Sequence, residues 1–126
     1  MKQKYSVRLS RQAAERRGRR GELMASLILL AKGYRILGRR VRTHLGEIDL
    51  VARSPGGVIC FVEVKARDAF ADAVGALMPR QQARIARAAA HFLAQRPGLR
   101  AREVRFDTIT ITKGRFPRHF RDAWRP

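Results

Sequence analysis

The sequence has 126 residues, 45% of them apolar, which suits one domain and excludes a disordered chain. A chain of this length buries roughly two-thirds of its unfolded surface, so it needs neither disulfide nor metal to hold a core. Its 28 Lys and Arg against 10 Asp and Glu leave a balance of +18, which points to polyanionic partners: nucleic acid first, an anionic membrane surface second.

In chain order, residues 1–10 read as a basic arm. A helix is expected from about Arg11 to Lys32, stopped by Gly33, with its firm part starting near Gly21. After Glu22 this helix is apolar on most sides, so it is expected to be buried all round. Its apolar run, Leu23 to Ala31, is too short for a bilayer, which takes about 20 residues. Arg16-Arg17 and Arg19-Arg20 imitate a twin-arginine signal, but Glu22 interrupts the flank and no small-residue cleavage site follows. A cytoplasmic protein with no membrane partner is the expectation.

Tyr34 to Arg42 and Glu47 to Arg53 read as strands. Ser54-Pro55-Gly56-Gly57 is a turn, and Val58 to Lys65 is the most β-prone stretch of the chain. It contains Cys60, the only cysteine, read as a buried core thiol in a reducing setting. A loop over 66–78 leads to Pro79, which suits the first position of a helix reaching about Gln95. Glu103 to Thr112 is a fourth strand. The stretch 113–126 is a basic tail carrying Phe116, Phe120 and Trp124, whose rings either stack on bases or pack back on the domain. The order is α-β-β-β-α-β, a single α/β domain over 1–126 with a central mixed sheet and flanking helices.

Two strands hold charges where apolar residues would be cheaper. Side chains alternate along a strand, so Asp49 shares a face with Glu47, and Glu63 with Lys65. The Pro-Gly-Gly turn makes the strands a hairpin, so Asp49, Glu63 and Lys65 are expected in one patch. Charges in such a place need a partner or a metal, and two carboxylates attract a divalent cation that takes oxygen ligands. The Val64 carbonyl would add a further ligand. A structural ion network is the competing reading. Glu22, one of only two acids in the first 44 residues, is a fourth candidate. Arg39, Arg40, Arg67, Arg80 and Arg84 are the expected phosphate contacts. His44, His91 and His119 lack metal-ligand spacing.

Gly46-Glu47-Ile48-Asp49-Leu50, followed by Phe61-Val62-Glu63-Val64-Lys65-Ala66-Arg67, resembles the signature of the YraN-like family of predicted nucleases. These are restriction-endonuclease-like proteins of the PD-(D/E)xK superfamily, similar to archaeal Holliday-junction resolvases. The resemblance implies that Asp49 and Glu63 bind Mg²⁺ or Mn²⁺, that Lys65 is catalytic and that Glu22 is the helix acid. It also implies hydrolysis of DNA phosphodiester bonds, in branched DNA, by a homodimer. Two positions depart from the family pattern. Arg40 or Val41 stands where Asn is usual, and Gln81 where Lys is frequent. A DNA- or RNA-binding protein that keeps the fold without catalysis is the alternative. A module meeting an acidic protein is a third.

Overall fold

The structure, a computed structural model, describes residues 20–67, 78–99 and 102–126. The expected arm over 1–10, the helix start at Arg11 and most of the 66–78 loop lie outside them. Residues 20–31 form helix α1. Strands β1 (Arg35–Thr43), β2 (Gly46–Arg53) and β3 (Ile59–Arg67) follow, then helix α2 (Pro79–Ala94), a 3₁₀ turn over Pro97–Leu99, and strands β4 (Val104–Thr112) and β5 (Arg118–Trp124). The expected α-β-β-β-α-β order therefore holds, with one strand added. The tail is not a loose extension: Arg118–Trp124 pairs with β4 as an edge strand.

The five strands lie in the order β1-β2-β3-β4-β5. Only β3 and β4 run parallel; the other neighbours are antiparallel. A parallel pair needs a crossover rather than a tight turn, and α2 lies within that connection.

Alternation along β3 sends its side chains into two cores. Ile59 and Phe61 pack with Ile85, Ala88, Ala89 and Phe92 of α2. Cys60 and Val62 pack with Ala25 and Leu29 of α1. The result is three layers, helix on sheet on helix. Gly33, at φ 86°, ends α1. Tyr34 N–H donates to the Leu29 carbonyl and Gly33 N–H to that of Leu30, a pairing that needs a left-handed residue at this point. The Ser54–Gly57 turn closes through Gly57 N–H to the Ser54 carbonyl at 2.9 Å.

The expectation that α1 is buried all round is corrected. Ala25, Ser26 and Leu29 are buried, but Leu23 and Leu27 are 53% and 57% exposed, and Met24 and Leu30 are exposed too. One sheet face can cover only one side of a helix. Among the described residues no helix is long and apolar enough to cross a membrane.

Candidate metal and nucleic-acid site

The site is built where β2 and β3 separate. Their pairing runs from Arg53↔Ile59 to Leu50↔Val62 and stops there, whereas β3 stays paired with β4 as far as Arg67↔Thr112. Beyond Val62, the β2 side of β3 therefore has main-chain groups without a ladder partner. Asp49 supplies one: Val64 N–H donates to its Oδ2 at 2.7 Å. Alternation is interrupted at the same level. Ile48 and Val51 enter the α2 core, while Leu50 enters the α1 core. Opposite, on β1, Arg40 adopts a left-handed φ of 48°.

Glu63 and Lys65 continue the face of Phe61, toward α2. Gln81 Nε2, in the first turn of α2, donates to Glu63 Oε1 at 3.3 Å. Lys65 is buried, with 8% of its surface exposed. Glu22 approaches from the other layer, where Arg40 Nε donates to its Oε2 at 2.5 Å. Arg40 is thus committed to an acid rather than displayed for phosphate. Both departures from the family pattern, Arg40 and Gln81, touch acids of this site.

The electrostatics follow from crowding. Burial pushes the Asp49 carboxyl above its ordinary range, partly offset by the Val64 N–H, and the charge of Glu22 adds to the rise. Burial also raises Glu63, followed by the charge of Asp49 and a hydrogen bond to it, while Lys65 opposes the rise. Two adjacent, half-buried carboxyls that resist ionising together are the donor set a divalent cation satisfies. The residues therefore fit Mg²⁺ or Mn²⁺ as two carboxylates, with the Val64 carbonyl beside them. Among the described residues, no three His, Cys, Asp or Glu side chains are grouped to hold a metal. A cation there would complete its shell with main-chain, water or substrate oxygens.

The other candidates are distributed around this end of the molecule. Glu47 is exposed and sits 3.5 Å from Arg42. Arg39, Arg80 and Arg84 are exposed on β1 and α2. Arg67 ends β3, and its side chain lies outside the described residues. His44 and His91 stack edge to face, with centroids 5.0 Å apart. The β1–β2 turn, the end of β3 and the β4–β5 turn all lie at the same sheet end. The last of these presents Phe116, 93% exposed, between Arg115 and Pro117.

The sequence matches the model of the uncharacterised protein family UPF0102 over residues 21–111. The chain belongs to the UPF0102 family. The matched span includes Glu22, Asp49, Glu63 and Lys65. UPF0102 proteins of Caulobacter vibrioides (strain NA1000 / CB15N) and Parvibaculum lavamentivorans are similar to it. The first is 54% identical over 119 residues, 94% of each chain. The second is 51% identical over 114 residues, 90% of this chain and 85% of the other. The UPF0102 protein of Maricaulis maris is 48% identical over 117 residues, 93% of this chain and 91% of its own.

Proposed function

We propose that this UPF0102 chain is a metal-dependent endonuclease of the PD-(D/E)xK kind that hydrolyses DNA phosphodiester bonds. The observation that carries the reading is the pair of half-buried carboxyls, Asp49 and Glu63, beside the buried Lys65 where β2 and β3 part. A purely structural ion network would gain little there, because apolar packing is the cheaper source of stability.

Asp49 and Glu63, with the Val64 carbonyl, would hold Mg²⁺ or Mn²⁺. Bound there, the ion supplies polarisation of a phosphoryl oxygen and acidifies a water molecule. Lys65 orients the attacking water or offsets charge on the phosphoryl oxygens as the bond breaks. Gln81 positions Glu63, and the Arg40–Glu22 pair fixes the outer wall. Arg39, Arg80 and Arg84 hold the polyanion, and Phe116 offers a ring to an unstacked base. An exposed aromatic at the site end suits DNA with unpaired bases, so branched DNA is the first substrate to try.

Cleavage of branched, flapped and linear DNA in Mg²⁺ or Mn²⁺ tests this. Asp49→Ala and Lys65→Met are each expected to lower the rate by about 100-fold or more while leaving DNA binding in EDTA unchanged. Cutting that survives Asp49→Ala would place the chemistry elsewhere. Binding without cutting of any substrate would make the protein a DNA- or RNA-binding relative that keeps the fold alone.

A further inference from the structure

A second cluster of charged side chains lies on the α1 face, built around a different acid. Asp107 of β4 is completely buried. Its Oδ1 accepts from Arg105 Nε at 2.8 Å and from Asp122 N–H at 3.0 Å. Its Oδ2 accepts from Arg105 Nη2 at 2.8 Å. His119 Nε2 lies 2.8 Å from the same Oδ2, and Lys32 Nζ lies 3.1 Å from His119 Nδ1. An ammonium only donates, so Nδ1 accepts and the Nε2–H faces Asp107. The imidazole thereby bridges a surface lysine and a buried carboxylate. Arg105 is also fixed from a second side, since its Nη2 reaches the Tyr34 hydroxyl at 2.8 Å.

Lys32, Tyr34, Arg105 and His119 wall a cavity of about 620 Å³, together with Pro55 and Arg121, and Asp107 lies behind Arg105 and His119. Lys32 sits at the C-terminal end of α1, whereas Glu22 sits near its N-terminal end, so the cavity is separate from the carboxylate site. Ten residues of helix put the two about 15 Å apart. The volume is that of a small-ligand pocket, about 300–1,000 Å³, and exceeds what a bare oxyanion needs. Lys32, Arg105 and Arg121 bring three positive charges and Asp107 one negative. The excess of two matches a phosphomonoester, which carries about −1.5 to −2 at neutral pH, better than a singly charged diester. Lys32 spends one of its three donors on His119, and the Nη1 of Arg105 takes no part in the bonds to Asp107 and Tyr34. Tyr34 and Pro55 offer apolar surface to whatever the phosphate carries.

We propose that this cavity binds a phosphomonoester of nucleotide size, either the 5′-phosphorylated end of a nucleic-acid strand or a free nucleotide. It goes beyond the endonuclease reading and does not require Asp49 or Glu63. The test is titration of the full chain, followed through backbone amide NMR shifts. The probes are a deoxynucleoside 5′-monophosphate and a short oligonucleotide carrying either a 5′-phosphate or a 5′-hydroxyl. Shifts are expected to cluster at Lys32, Gly56 and Arg121. The 5′-phosphate should tighten oligonucleotide binding by about ten-fold or more, since hydrogen bonds to a charged group dominate it. Lys32→Ala with Arg121→Ala, both at exposed positions, should abolish that preference, while Asp49→Ala should retain it. A free nucleotide binding as tightly as the phosphorylated strand assigns the pocket to nucleotides; a tighter strand assigns it to strand ends. Shifts scattered over the basic surface, equal affinity for both oligonucleotides, or an unaffected double variant would overturn the proposal.

Discussion

Asp107 is a buried carboxyl held ionised by its partners. Burial by itself would raise its pKa. The hydrogen bonds from His119, Arg105 and the Asp122 N–H outweigh burial and bring it down to about 2 from 3.8. A carboxyl depressed in the folded state stabilises the protein above its ordinary pKa, and that contribution disappears as pH falls through the depressed value. Here it is about 2 kcal/mol, present above pH 4 and lost between about pH 4 and 2. Thermal melts across that window should fall steeply for the native chain, whereas Asp107→Asn should start lower and decline less. Parallel declines in the two proteins would remove Asp107 from the acid limb. The Arg105–Asp107 pairing is legible in the sequence because the residues are two apart on one strand face. Tyr34 and His119 are not, since nothing local ties a residue at α1's exit to Arg105 or one on β5 to Asp107. Asp49, Glu63 and Lys65 stand out for the opposite reason: charge inside a run of Val, Ile, Phe and Cys is visible without any partner. What strand alternation misses is how Asp49 reaches them, by capping Val64 N–H across an open gap instead of facing Glu63 in a ladder. The lone thiol, Cys60, is pushed up to about 12 chiefly by burial, so it stays protonated and unreactive at neutral pH.

At the scale of elements, α1 has two unlike apolar sides. Leu29 is fully buried among Leu50, Cys60 and Val62, and Leu27 is mostly exposed. Leu29→Ala should cost about 2–5 kcal/mol in urea unfolding. Leu27→Ala, which empties no cavity, should stay within about 0.5 kcal/mol. Equal losses would mean that the outer face is covered in solution. Periodicity could not separate the sides, because nearly every position after Glu22 is apolar and the pattern has no polar stripe to orient it. The fifth strand was hidden by a different effect. Edge strands carry polar residues on both faces, and the β4–β5 register shifts between Phe106 and Thr108 at Asp122, φ 53°. Only Trp124, its ring tilted against Phe106 with centroids 4.3 Å apart, anchors it in the apolar core. In contrast, α2 was readable because Ile85, Ala88, Ala89 and Phe92 recur at helical spacing between polar residues.

For the molecule as a whole, the charge of +18 would make the proposed DNA binding depend steeply on salt. Log–log plots of DNA affinity against salt should be linear. Arg80→Ala should reduce the slope by about 0.9 if that side chain neutralises one phosphate of a duplex. An unchanged slope would leave Arg80 on the solvated face of α2. The three-layer architecture puts both helices over sheet faces, so only the strand edges remain open sideways. There the two edge strands share a device. Among the described residues, the non-glycine residues with positive φ are Arg40 and Asp122, one on β1 and one on β5. Each lies on an outer strand whose pairing shifts register, between Ile36 and Gly38 on β1 and around Asp122 on β5, and which also carries exposed arginines: Arg35, Arg39 and Arg42 on one side, Arg118 and Arg121 on the other. A kinked, positively charged rim is a poor template for a neighbour's strand. Among the described residues the sheet thereby ends in two edges that resist pairing, so copies of the protein at high concentration are not drawn into β-aggregates through them.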